Sequence, residues 1–294
     1  MEQFKQKERK SATDLQGAEI WEENDVKAFF PQRPLNAHKG MFGKACIVSR
    51  GARLGAAMLS ASACLRSGAG YTILRVPQEL RTQVAAALPA CVVEAFDSLD
   101  EGILSSDALA LGMGWGVSEE LYSLISELLK TYRGTLVLDA DALNVLARFG
   151  LTILKTKSCK VILTPHPKEF ARLCNLSVEA VLQDSLRLAK EFATQYDVTL
   201  VLKSNRTVIA DGVRTAINTT GSPALAKCGS GDVLSGFLVG TCARGLSPFD
   251  AACVSCYVFG RAGEKAEEEF GQYAPTSSDV VSLLPGIIKR IESA

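Results

Sequence analysis

The chain has 294 residues, 47% of them hydrophobic and 22% charged, an ordinary globular composition that one large α/β domain can accommodate. Lysine plus arginine equals aspartate plus glutamate at 32 each, so bulk charge gives no reason to expect nucleic acid or an anionic membrane as partner. Any phosphate has to be met by a local site.

The opening residues 1–17 are polar and of mixed charge, without the apolar centre of a signal peptide, and no stretch of the chain reaches membrane-spanning length. Residues 1–35 are therefore expected to form a polar, partly disordered extension ahead of a single domain over residues 36–294. From Lys44 onward, short apolar runs alternate with helical patterns. Strands are expected at 45–49, 71–76, 108–112, 135–138, 161–163 and 199–202, and a hairpin over 207–210 and 215–218 at a sheet edge. Helices are expected at about 55–67 and 78–88. Another carries Leu121, Leu124, Ile125, Leu128 and Leu129 on one face, and three more run over 231–244, 248–270 and 277–291. Thr276 to Asp279 forms a capping box for the last. Such alternation implies a mostly parallel sheet covered on both faces, with ligands outside the carboxyl ends of its strands.

Nine cysteines are an odd number, and Cys46, Cys64, Cys91 and Cys242 sit in apolar runs where a thiol acts as a small hydrophobe. Cys253 and Cys256 have redox-motif spacing but lie inside an apolar helical stretch, which reads as packing. No cysteine has metal-ligand spacing, and a reducing, cytoplasmic compartment is expected. Trp21 and Trp115 read as packing residues.

The most informative stretch is Gly229-Ser230-Gly231-Asp232, which leads straight into an apolar helix. Two glycines permit a tight turn, and free N–H groups at a helix start attract an anion. Asp232 could simply cap that helix, but an acid beside an anion cradle conflicts with the cradle, and such a conflict marks a site. His166, between two prolines, could cap the helix after it or contact a ligand. Asp139 and Asp141 follow a strand directly, where cap and site roles compete, and His38 and Lys39 suit either solvent or a phosphate.

Gly229 to Gly236 resembles the Gly-x-Gly-Asp motif of ribokinase-like kinases, and Pro165 to Glu169 resembles their Asn-x-x-Glu element with His166 in the place of Asn. The finer pattern is similar to one branch, the NAD(P)H-hydrate dehydratases. His38 to Gly43, Arg66 to Gly70, Gly112 to Gly114, Leu138 to Asn144, Thr164 to Glu169, Lys203 to Thr207 and Asn218 to Asp232 match in the family's order. That branch often carries a fused epimerase domain in front, for which the residues ahead of His38 leave no room.

The resemblance implies a ribokinase-like three-layer α/β/α fold and a homo-oligomeric enzyme. The implied reaction dehydrates (6S)-NADHX or NADPHX to NADH or NADPH with ADP or ATP as co-substrate and Mg²⁺. By position, Asp232 would be the base and contact the hydrated nicotinamide. Ala56, Gly114 and His166 would line the hydrate site. Lys203, Ser204, Asn205, Arg206, Thr207, Gly229, Ser230 and Gly231 would hold the adenine nucleotide, and Glu169 would help place Mg²⁺. A kinase of the same fold, acting on a vitamin alcohol or a sugar, is the nearest rival, and an inactive nucleotide sensor is the next. A Rossmann dehydrogenase does not fit, because no Gly-x-Gly-x-x-Gly follows the first strand of the domain.

Overall fold

The computed structural model describes residues 12–13, 17–51 and 54–293. Two short strands, β1 (Ala12–Thr13) and β2 (Glu19–Ile20), and a helical turn, α1 (Glu23–Lys27), come first. Then follow β3 (Lys44–Val48), α2 (Leu54–Cys64), β4 (Tyr71–Val76), α3 (Arg81–Ala87), β5 (Val92–Ala95), α4 (Glu101–Leu104) and β6 (Ala108–Leu111). The middle of the chain gives α5 (Glu119–Thr131), β7 (Thr135–Leu138), α6 (Asp141–Phe149), β8 (Lys160–Leu163), α7 (Pro167–Cys174), α8 (Val178–Gln183), α9 (Ser185–Tyr196) and β9 (Thr199–Leu202). A hairpin of β10 (Val208–Ala210) and β11 (Thr215–Ile217) precedes α10 (Ser230–Ala243), α11 (Pro248–Phe270) and α12 (Ser277–Ser293).

Every residue of β6, β7 and β9 is buried, as expected of strands covered on both faces. Alternation along each strand divides the core. Ala45, Ile47, Ala108, Ala110, Val137, Ile162 and Val201 face a layer built from α2, α10, α11 and α12. Cys46, Val48, Leu109, Leu111, Leu136, Leu138, Leu163 and Leu200 face the other layer, which α5, α6, α7 and α9 build. The small alanines on the first face let α10 lie close to the sheet. α10 also lies close to α2: a Cβ on Gly236 would stand 2.0 Å from the Ser60 carbonyl oxygen.

Among the described residues the strands form one eleven-stranded sheet in the order β1-β2-β11-β10-β9-β8-β7-β6-β3-β4-β5, parallel from β9 through β5. The chain winds outward from β3 through β4 to β5, then returns to the other side of β3 with β6 and continues through β7, β8 and β9. The reversal between β3 and β6 is a topological switch point, where open α/β sheets bind ligands.

Two features depart from the sequence reading. The hairpin does not end the sheet, because β2 pairs with β11 in parallel and β1 adds beyond it. The segment taken as an extension is thus joined to the domain from Ala18 on. Trp21, Val26 and Phe29 are buried, with Trp21 stacked on Phe29 at 5.6 Å between ring centroids. Arg214 of the hairpin turn holds Glu19 through two hydrogen bonds of 2.7 and 2.8 Å. Residues 1–11 and 14–16, which carry most of the expected disorder, lie outside the described residues. The second departure is β5, which Pro89 and a half-exposed Val92 disguise as loop in the sequence. No helix among the described residues is long and apolar enough to cross a membrane.

Candidate active site

Four polar residues end adjacent parallel strands on one side of the sheet: Asp139 after β7, Thr164 and His166 after β8, and Lys203 after β9. Strand order alone gathers them. Asp139 is buried, and its Oδ1 accepts a 2.8 Å hydrogen bond from the Lys203 ammonium while Oδ2 accepts one of 2.7 Å from Ser235 of α10. Burial raises the Asp139 carboxyl, but the Lys203 charge and hydrogen bonds from Lys203, Ser235 and Thr164 outweigh it, and the group lies below the usual carboxylate range. Burial depresses Lys203, yet Asp139 and Glu169 hold it above its ordinary value, so it stays an ammonium. The turn that delivers Asp139 runs through Ala140 at φ 51°, uncommon for a residue with a side chain. Asp139 therefore caps nothing. Asp141 instead accepts a 2.7 Å hydrogen bond from the Gly116 amide and fixes the loop after β6.

Above this pair sits the start of α10. Gly229 lies at φ +91°, and a Cβ there would come within 2.7 Å of Leu59 and 2.9 Å of the Ser277 hydroxyl. Ser277 in turn donates to the Cys228 carbonyl at 2.8 Å, pinning the turn to α12. The amides of Gly231 and Asp232 fall in the first helical turn, where no intrahelical acceptor exists. Asp232 does not cap its helix: its carboxylate makes no hydrogen bond or ion pair among the described residues. Burial and the nearby Asp139 charge push it up to about 6, against the opposing pull of Lys203. An unpartnered carboxylate poised near neutrality, beside free amides, is equipped to accept a proton.

A cavity of about 860 Å³ opens beside this helix start. Of the residues singled out in the sequence, His166, Lys203, Ser204, Asn205, Thr207, Ser230 and Gly231 line it together. Arg206 and Gly229 belong to the same two loops but do not line the cavity. Thr207 ties its loop by accepting from the Ser204 amide and donating to the Ser204 carbonyl, at 3.2 and 3.1 Å. Phe259 and Gly260 of α11, with Leu225 and Pro223, supply an apolar wall that sequence reasoning missed, since α11 read only as a buried helix.

Ala56 and Gly114 do not line this cavity. They lie at the switch point, Ala56 in the first turn of α2 after β3 and Gly114 after β6. The two loops touch there: a Cβ on Gly51 would stand 1.8 Å from the Gly114 carbonyl oxygen. Along the strand ends the order is thus Lys203, His166, Asp139, Gly114 and the loop of Ala56, with α10 packed across β7, β6 and β3. His38 and Lys39 precede β3 and lie at the opposite end of the sheet, where Lys39 stacks over Tyr71 at 4.8 Å.

His166 caps α7. Its Nδ1 accepts from the amides of Lys168 and Glu169 at 3.1 and 3.2 Å, and the Glu169 carboxylate accepts in turn from the His166 amide at 2.8 Å. Burial and the Lys203 charge lower the imidazole below its usual range, so the neutral ring carries its proton on Nε2. The ring remains 46% exposed toward the cavity. Burial raises the Glu169 carboxyl, which Lys203 only partly offsets. Among the described residues no three His, Cys, Asp or Glu side chains converge to hold a metal ion. With one oxygen of Glu169 committed to the cap and both of Asp139 engaged, the residues present do not fit a protein-built Mg²⁺ site.

A family model described as NAD(P)H-hydrate dehydratase matches residues 47–285. The chain is 34% identical to the ADP-dependent (S)-NAD(P)H-hydrate dehydratase of Cenarchaeum symbiosum, over 92% of this chain and 96% of that protein. It is 36% identical to the bifunctional NAD(P)H-hydrate repair enzyme Nnr of Moorella thermoacetica over 89% of this chain but 52% of that protein, so it spans about half the length of such relatives. Among solved structures it is similar to the ADP/ATP-dependent NAD(P)H-hydrate dehydratase of Bacillus subtilis, co-crystallised with ATP and Mg²⁺. The TM-score is 0.81 at 29% identity, covering 93% of this chain and 98% of that one. A ribokinase-like superfamily protein of Enterococcus faecalis V583 gives a TM-score of 0.83 at 25% identity over 97% and 100% of the two chains. With the strand-end site, the Gly-rich turn and Asp232 in place, the chain belongs to the NAD(P)H-hydrate dehydratase family.

Proposed function

We propose that this chain dehydrates (6S)-NADHX and NADPHX to NADH and NADPH with ADP or ATP as co-substrate, a hydro-lyase reaction that repairs the cofactor. The observation that carries it is the unpartnered Asp232 carboxylate, pushed up to about 6, at a helix start between the large cavity and the β3–β6 switch point. In this reading the adenine nucleotide occupies the cavity against Ser204, Asn205, Thr207, Ser230 and Gly231, with Arg206 and Gly229 shaping the loops. The hydrated nicotinamide lies toward Gly114 and Ala56, and His166 stands between the two.

Hydroxide is a poor leaving group. Asp232 accepts the proton of the ring hydroxyl as that oxygen attacks the terminal phosphorus of the nucleotide, whose phosphoanhydride bond breaks to release AMP from ADP or ADP from ATP. The amides of Gly231 and Asp232 and the Lys203 ammonium stabilise the charge that develops on phosphate. The ring nitrogen then expels phosphate from carbon 6, and loss of a proton from carbon 5 restores the reduced ring. A cation would come with the nucleotide, since Mg²⁺ is usually held by substrate phosphates and one or two carboxylates. Nine free cysteines support a reducing cytoplasm. The homo-oligomer expected from the family is checked by light scattering.

The deciding experiment supplies (6S)-NADHX with and without ADP or ATP and follows both the absorbance of the reduced ring and phosphate release. Recovery should require nucleotide and release one phosphate per ring restored. Recovery without nucleotide, or a phosphorylated product that persists, overturns the assignment, and the second outcome favours a kinase of the same fold. With His166→Ala the hydrate KM should rise more than the ADP Kd. The reverse outcome assigns His166 to the nucleotide.

A further inference from the structure

At the strand-start end of the sheet, remote from Asp232, a second cavity of about 520 Å³ lies between residues 30–33, the turn at 66–68 and the ends of α10 and α12. Phe30, Pro31 and Ile288 make an apolar wall, and Arg33, Arg66 and Arg244 face it. Arg33 donates to the Gly68 carbonyl at 2.6 Å and lies 3.7 Å above the centre of the Phe42 ring. Arg244 donates to the carbonyls of Ser67 and Phe29 and stacks over Phe30 at 4.8 Å. Arg66 is exposed and makes no hydrogen bond or ion pair among the described residues. Among the described residues none of the three guanidinium groups forms an ion pair with a carboxylate, and Glu292 is the acid among the lining residues. Burial and the neighbouring Arg33 charge push Arg244 down to about 10 against the opposing pull of Glu292, so positive charge outweighs negative at this cavity.

Two motifs that the catalytic end leaves unused build this cavity. His38 to Gly43 supplies the Phe42 platform under Arg33. Arg66 to Gly70 supplies Arg66 and the carbonyls that aim the other two guanidinium groups. Backbone carbonyls orient these side chains without neutralising them, and most of their N–H groups stay free for a ligand. Planar guanidinium forks match phosphate oxygens in pairs, and the cavity volume falls in the range of small-molecule sites.

We propose that this cavity is a second ligand site, for a small phosphate-bearing metabolite whose apolar part lies against Phe30 and Ile288. Arg244 directly follows α10, whose first turn carries Asp232. The two sites therefore sit at opposite ends of one helix of 14 residues, about 21 Å long at 1.5 Å per residue.

The full chain is titrated with pyrophosphate at low salt by calorimetry, and its arginines are labelled with phenylglyoxal and located by peptide mass spectrometry. Arg66 and Arg33 should be protected from labelling over the same concentration range as the calorimetric binding. Arg66→Ala removes an exposed, unpartnered side chain, so the fold should persist while the affinity at this site falls roughly tenfold or more. Arg206, exposed in the loop beside the catalytic cavity, is the internal control. Protection of Arg206 alone, equal labelling of Arg66 with and without pyrophosphate, or unchanged affinity in Arg66→Ala overturns the proposal.

Discussion

Asp232 shows how a single side chain can be costly to the fold and useful to the site. Its carboxyl, ordinarily near 3.8, is pushed up to about 6, so between those values the folded state binds a proton that the unfolded chain has released. That proton's contribution favours the folded state at acid pH and is lost as pH rises through about 6. Asp232→Asn should therefore stabilise the protein at pH 7.5, by roughly 1–2 kcal/mol once partial exposure is discounted. Turnover should fall roughly 100-fold or more, as the loss of a positioned base usually does. The wild-type rate should rise with pH to a plateau above about 6, and that limb should vanish in the variant. Near-normal turnover in Asp232→Asn would assign the base elsewhere. The importance of Asp232 was legible in the sequence because Gly229 and Gly231 flank it. The Asp139–Lys203 pair beneath was not. Lys203 read as a nucleotide contact and Asp139 as a cap or a site, because partners 64 residues apart are joined only by the order of the strands.

At the scale of elements, the site depends on how closely α10 approaches α2. Ser60 sets that approach twice: its carbonyl faces Gly236, and its hydroxyl donates to the Asp232 carbonyl at 2.9 Å. Gly236→Ala would place a methyl group 2.0 Å from the Ser60 oxygen, so the helices must separate and carry Asp232 with them. We expect a loss of about 1–3 kcal/mol, as in overpacked cores, together with reduced turnover. Gly286 in α12 is the control, since a Cβ there meets nothing within 4 Å, and Gly286→Ala should gain about 0.5–1 kcal/mol. Urea midpoints of the two variants check both signs, and equal midpoints would show that α10 and α2 separate freely. The Thr276–Asp279 cap of the last helix was plain in the sequence and forms with bonds of 2.7 and 3.3 Å, the Leu121–Leu129 helix was plain from its 3.6-residue spacing, and α2 and α10 read as helices from their small and apolar residues. Their closeness was not, because a glycine in an apolar helix does not name the neighbour it admits.

At the scale of the whole molecule, the parallel sheet could be foreseen from the alternation of strands and helices, whereas the finish of its β11 end could not. β2 is two residues long and carries no strand pattern; what places it is the grip of Arg214 on Glu19 and Asp250 and the burial of Trp21. Removing residues 1–22 should lower the thermal midpoint by roughly 5 °C or more, since a buried tryptophan, a strand pairing and one partner of Arg214 are lost together. Scanning calorimetry of the shortened chain decides it. An unchanged midpoint would show that the β2 pairing contributes nothing to stability.

The same strand bears on the order of folding. Glu19 and Arg214 are 195 positions apart, whereas β3 meets β4 after a connection of 22 residues. Closing so long a loop costs chain entropy that only a nearly complete sheet can offset. During synthesis the segment around Glu19 leaves the ribosome ahead of the sheet it joins, and it has no β11 to pair with until about 195 more residues have followed. The segment around Glu19 is therefore among the last pieces to be fixed, and its docking on Arg214 joins β2 to the sheet.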